Sequence, residues 1–233
     1  MARPVCAVVG VGEGNGAAFA RAFSREGMAL ALLARRTEFT EALAREISDA
    51  RAYSCDVTDP GSIKHAFDAI RTDLGDPAVL IYNAGSGVRG DVESIGLEAF
   101  ENAWRVNALG ALAASKQVIP AMKAAGEGSI IFVGATASLR GGAQTAAFAP
   151  AKAAQRILAE SMARSLWPQG IHVSLMVIDA VVDLPRTRER MPDKPDDFFI
   201  KPDDIAATAI WLAKQPRSAW TFEATVRPFG EKW

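Results

Sequence analysis

The sequence predicts an α/β fold: a doubly wound sheet of about seven parallel strands, flanked by helices on both faces. Three observations support this. Short apolar runs alternate with longer helical patterns along the whole of the 233 residues. Several of those runs are apolar on both faces, as strands buried between two helical layers must be. The first run empties into a glycine-rich turn that opens a helix, the start of a βαβ unit.

The strands read in order as VCAVVG (5–10), MALALLA (28–34), RAYSC (51–55), AVLIYN (78–83), SIIFVG (129–134), IHVSLMVI (171–178) and FEATVRP (222–228). The helices between them carry start signals. Thr37 is placed to cap EFTEALAREI, and Asp59 followed by Pro60 is an N-cap with proline at the first helical position. The segment 97–125 reads as one long helix stopped at Gly126, another helix spans 148–166, and PDDIAATAIWLAK is the last. No linker divides the chain, so one Rossmann-type domain over residues 1–233 is expected. The one long irregular stretch, 183–202, is rich in proline and charge and reads as a mobile flap at the ligand end of the sheet.

Hydrophobic residues make up 49% of the chain and charged residues 23%, the balance of an ordinary globular protein. A formal net charge of −1 gives no field that favours nucleic acid or an anionic membrane. No apolar run reaches the ~18 residues a bilayer span needs. The N-terminus shows no signal-peptide pattern, so a cytoplasmic protein is expected. Cys6 and Cys55 match no metal-ligand spacing and are expected to be structural thiols, with no metal site.

The turn after the first strand, GVGEGNGAAFARAF, places Gly10, Gly14 and Gly16 in a G-x-x-x-G-x-G pattern that also holds Asn15. Glycine permits the tight turn and a close backbone approach to a pyrophosphate, and the helix start offers N–H groups to that anion. At the end of the second strand, an acidic residue would suit the adenosine ribose hydroxyls and an arginine a 2′-phosphate. This chain has Arg35 and Arg36 there, which favours NADP(H) over NAD(H).

Taken in register, the motifs resemble the short-chain dehydrogenase/reductase family over essentially the whole chain. The match is carried by the glycine loop, by CDVTD (55–59), by NAG (83–85), by Asn107 and by Lys152. The resemblance implies that Asp56 and Val57 flank the adenine, and that Asn83, Ala84 and Gly85 border the cofactor. It also implies a mechanism. In the family a tyrosine before the lysine moves the proton and a serine polarises the carbonyl. The lysine holds the nicotinamide ribose and lowers the tyrosine pKa, and the asparagine anchors a relay water.

Carried over, the lysine is Lys152 and the asparagine Asn107, but the tyrosine position holds Phe148 and the serine position Ala135. The remaining tyrosines, Tyr53 and Tyr82, belong to strands. After the sixth strand, the family's Pro-Gly and threonine positions read Asp179, Ala180 and Leu184. Asp179 is a candidate substitute acid with a raised pKa, or else a loop-stabilising hydrogen-bond partner. Thr136, Ser138 and Thr145 could supply a hydroxyl, or else make turn bonds. His65 and His172 are expected to be structural.

Two readings therefore stand. One is an NADP(H)-dependent oxidoreductase with a remodelled proton donor, acting on a small carbonyl or alcohol. The other is a catalytically inactive dinucleotide-binding sensor or structural subunit. The resemblance further implies a homodimer or homotetramer through helices 97–125 and 148–166.

Overall fold

The computed structural model describes residues 3–230, so residues 1, 2 and 231–233 of the expected domain lie outside the described residues. All seven expected strands form: β1 (Val5–Val9), β2 (Ala29–Ala34), β3 (Ala50–Ser54), β4 (Pro77–Tyr82), β5 (Gly128–Ala135), β6 (Ile171–Ile178) and, after two short strands described below, β9 (Glu223–Val226). They join in one parallel sheet of order β3-β2-β1-β4-β5-β6-β9. The chain winds outward from β1 to β3, returns to pair β4 with β1, and winds the other way. Ligands of open α/β sheets bind at the crevice this reversal creates.

Helices α1 (Asn15–Arg25), α2 (Glu38–Glu46) and α8 (Pro202–Ala213) belong to one face. Phe19, Phe23, Leu43, Ile205 and Leu212 pack there against Leu30, Leu32 and Ile131. Helices α3 (Pro60–Asp73), α5 (Gly110–Ala125) and α6 (Phe148–Leu166) cover the other face, burying Phe67, Val118 and Leu166 against Leu80, Phe132 and Leu175. Alternate residues of the central strands thus serve different layers, which is why those runs are apolar throughout, whereas the edge strands β3 and β9 are only partly buried. None of the helices among the described residues is long and apolar enough to cross a membrane.

Asp59 caps α3 as expected, its carboxylate accepting from the Gly61 N–H at 2.8 Å. Thr37 does not cap α2. Its backbone is already helical, so its hydroxyl cannot reach the first-turn N–H groups, and its carbonyl instead accepts from the Thr40 hydroxyl. The 97–125 stretch is helical from end to end, as expected, but not α-helical throughout. It is α4 (Leu97–Trp104), a π-helical turn over Arg105–Leu109, and α5, closed by Gly126 at φ +66. The Tyr82 hydroxyl donates to the Val106 carbonyl at 2.5 Å, so a strand side chain competes for an acceptor of the helix. Close approach follows: a Cβ on Gly110 would lie 2.4 Å from that hydroxyl.

The flap is more ordered than its composition predicts. It contains α7 (Pro185–Arg190) and β8 (Phe199–Ile200), which pairs with β7 (Val181–Val182). Such short elements leave no periodicity to read.

Candidate functional site

A cleft of about 670 Å³ opens beyond the C-terminal ends of β1 and β4. Its walls are the glycine loop (Gly10, Gly12, Glu13), the end of β2 (Arg35, Arg36), the turn after β3 (Asp56, Val57), the turn after β4 (Asn83, Ala84, Gly85), and Arg186. Four strand ends thus converge because the neighbouring parallel strands β3, β2, β1 and β4 end at the same level.

The turns are locked to one another. Gly10 has φ +88, and a Cβ there would lie 2.5 Å from the Ala84 backbone. The Asn83 side chain donates to the Gly10 carbonyl at 2.7 Å, and its backbone N–H donates to Val9. Gly16 is needed for packing, since its Cβ would lie 2.6 Å from the Val11 Cα. Asp56 accepts from both the backbone N–H and the hydroxyl of Thr58, and these bonds hold its carboxyl below the usual range, with Arg35 assisting. Arg35 and Arg36 stand exposed on the same wall.

Four predicted cofactor residues do not border this cleft: Gly14, Asn15, Gly16 and Lys152. The space over Gly14 is filled by Leu184, whose Cδ2 would lie 2.7 Å from a Cβ there. The Asn15 and Asn107 Oδ1 atoms are buried without a hydrogen-bond partner among the described residues. Lys152 is 4% exposed, and its Nζ donates to the Val133 carbonyl at 2.8 Å and to Gln155 Oε1 at 3.0 Å. Desolvation lowers its pKa to about 7.

Asn107 lies in the π-helical turn and donates to the carbonyls of Ala103 (2.8 Å) and Ser86 (3.3 Å). A Cβ on Gly85 would lie 3.4 Å from Asn107 Oδ1 and 3.6 Å from Lys152 Nζ. The bare glycine therefore leaves an acceptor and an amine facing one small space. Phe148 opens α6 one turn before Lys152, and Ala135 ends β5.

Asp179 is not a raised-pKa acid. It accepts from the Thr136 hydroxyl at 2.5 Å and from Arg227 at 2.9 Å, and these partners hold its carboxyl below the ordinary range. The other two candidate hydroxyls have partners of their own. Ser138 Oγ accepts from the Ala135 N–H, and Thr145 Oγ1 bonds both polar groups of the Gly142 backbone. His172 is structural: its ring bonds the Leu212 and Thr221 carbonyls and stacks on Trp220 at 4.8 Å. His65 is exposed on α3, while Cys6 and Cys55 are free, buried thiols whose pKa values burial raises.

Two residues of the site were not singled out from sequence. Gln155 had a signal, because three residues after Lys152 it shares the same helix face. Arg186 had only a loose one: the positive run PRTRER could close on a charged substrate or stay solvated, with no residue of it marked out.

The profile of the short-chain dehydrogenase family matches residues 4–193. The 3-alpha-(or 20-beta)-hydroxysteroid dehydrogenase of Mycobacterium tuberculosis is 32% identical over 91% of this chain and 77% of its own length. The inactive 2-(S)-hydroxypropyl-CoM dehydrogenase 2 of Xanthobacter autotrophicus is 31% identical over 83% of this chain and 90% of its own. Among solved structures, an alcohol dehydrogenase from Thermococcus sibiricus complexed with 5-hydroxy-NADP superposes with a TM-score of 0.87 at 26% identity, covering 98% of both chains. With the parallel sheet, the glycine loop and these matches in agreement, the chain belongs to the short-chain dehydrogenase family of oxidoreductases, whose fold binds NAD(P).

Proposed function

We propose that this chain is an NADP(H)-dependent oxidoreductase acting on a small carbonyl or alcohol, with a proton donor other than tyrosine. The observation that carries it is the pair Arg35 and Arg36 on the wall of a cleft that also holds the glycine loop and Asp56. The donor set fits the adenosine side of such a cofactor. Two guanidinium groups suit a 2′-phosphate, and the Asn83-pinned loop leaves Gly12 with nothing within 4 Å of its missing Cβ. The T. sibiricus relative, complexed with an NADP derivative, supports the same direction.

When bound, the dinucleotide supplies hydride transfer; the chain's own groups orient it and handle the proton. We read Phe148 and Ala135 as the family's tyrosine and serine positions, so neither offers a hydroxyl. Asp179 is held ionised by its partners, which leaves Lys152 as the proton donor, with a pKa of about 7. Asn107 faces the same space beside Gly85 and holds the position of a bridging group. Homodimer or homotetramer formation belongs to this reading, supported by exposed Phe100, Trp104, Leu112 and Ile157 on segments 97–125 and 148–166.

A second reading, dinucleotide binding without turnover, is favoured by one observation. The amine of Lys152 is engaged by Val133 and Gln155, and the hydroxyls of Thr136 and Thr145 already donate to Asp179 and to the Gly142 carbonyl. A relative described as inactive is consistent with it.

Titration calorimetry with NADPH and NADH tests the shared premise. NADPH is expected to bind more tightly, and Arg35→Ala or Arg36→Ala to weaken NADPH by about 10-fold or more while sparing NADH. Equal binding of both refutes the 2′-phosphate assignment. Carbonyl turnover that disappears in Lys152→Met favours the first reading over the second.

A further inference from the structure

We propose that Arg186, carried by the flap helix α7, is a ligand for the diphosphate of the bound dinucleotide. The inference rests on the dinucleotide reading above. Its first support is position. Leu184 lies on Gly14, the residue that caps α1, and Arg186 follows two residues later on the cleft wall shared with Gly12 and Glu13. Gly12 and Glu13 belong to the glycine loop that leads into α1, and nothing lies within 4 Å of a Cβ on Gly12, so a phosphate can approach the loop backbone there.

The second support is the scaffold beneath it. Arg188 makes a two-pronged contact with Asp183 (2.7 and 2.9 Å), reaches Asp196 at 2.6 Å, and lies 4.2 Å above the Phe199 ring. The Thr187 hydroxyl bonds the Leu184 N–H and the Val182 carbonyl. These contacts pin α7 to the β7–β8 pair. Arg186 is the contrast: it is exposed, borders the cleft, and has no ion-pair or hydrogen-bond partner among the described residues.

Charge supplies the third support. The carboxylates on the cleft wall are Glu13, Glu38 and Asp56, and the guanidinium groups are Arg35, Arg36 and Arg186. Without Arg186 the wall is net negative, the wrong sign for a ligand carrying phosphates. With Arg35 and Arg36 at the β2 end and Arg186 at the glycine loop, the two cationic positions match two separate phosphate groups. A planar guanidinium donates to both oxygens of a phosphate, so Arg186 can grip a diphosphate from a helix already pinned beside the cleft.

The test is calorimetry of the full chain with ADP, which carries the diphosphate, and with adenosine 2′-monophosphate, which does not. Arg186→Ala is expected to weaken ADP by about 10- to 100-fold and to leave adenosine 2′-monophosphate unchanged, and Arg186→Lys to recover part of the loss. Unaltered ADP binding in Arg186→Ala overturns the proposal. Equal weakening of both ligands also overturns it, because the guanidinium then serves the ribose phosphate. If the unsubstituted chain binds NADPH, NADH and ADP not at all, the dinucleotide reading itself fails. Arg186 is exposed, so an unchanged thermal melt is expected to show that the variant folds.

Discussion

Replacing Lys152 by Met should change how stability depends on pH, and the size of that change follows from burial. The ammonium is buried with two neutral acceptors and no carboxylate partner among the described residues, and desolvation takes its pKa from 10.5 to about 7. At 1.36 kcal/mol per pH unit, the charged form costs the fold about 5 kcal/mol. The unfolded chain keeps its proton up to about pH 10.5, whereas the folded chain releases it near pH 7. Between those values the unfolded state binds more protons, so stability rises with pH. The penalty is complete below about pH 7 and vanishes as pH approaches 10.5. Met preserves most of the stem's packing but leaves the Val133 carbonyl and Gln155 Oε1 without this donor, a pH-independent loss of about 1–3 kcal/mol. The diagnostic quantity is therefore the slope and not the sign at one pH. Urea unfolding of both proteins between about pH 7 and 9.5 should show the wild type gaining about 3 kcal/mol on Lys152→Met. A gap that stays flat across this range refutes the assignment of a neutral buried amine, and with it Lys152 as the proton donor.

Gly10→Ala combines a left-handed φ of +88 with a 2.5 Å approach to Ala84, and should destabilise the chain by about 2–4 kcal/mol, read as a fall of several degrees in thermal midpoint. Asp179→Asn removes a carboxylate whose pKa is held down by Thr136 and Arg227. Its stabilisation is present above the unfolded pKa near 3.9 and lost as pH falls through the lower folded value, so the variant should lose about 1–3 kcal/mol at neutral pH and show a flatter acid limb in urea unfolding. Restoring both hydroxyls, with Phe148→Tyr and Ala135→Ser together, should raise carbonyl reduction with NADPH by about 10²-fold or more in a steady-state assay.

The seven main strands and their parallel arrangement were legible because the central apolar runs match strands buried on both faces, while the edge strands β3 and β9, only partly buried, were placed by their alternation with helices. The glycine loop, the Asp59 cap and the Gly126 stop were legible for a related reason: each is set by residues a few positions apart. The helix over 97–125 was legible, but its π-helical turn was not, because that turn meets Tyr82, a strand residue that reaches Val106 across 24 positions. Asp179 was ambiguous for the same cause. Whether a carboxyl at a strand end is an acid or a structural anion depends on its neighbours, and Arg227 arrives from another strand end 48 positions away.

The sequence by itself determined the layered α/β architecture, the glycine loop and the position of two arginines at the end of β2. Those follow from periodicity, turn chemistry and spacing, which act over one or two turns of chain. Only the tertiary structure decided where the functional side chains point. Leu184 covers Gly14, Arg186 lines the cleft, and Lys152 turns to Val133 and Gln155. The contacts of Leu184, Arg186 and Val133 join residues far apart in the chain. Their geometry is fixed by the order and level at which parallel strands end, which no local pattern encodes.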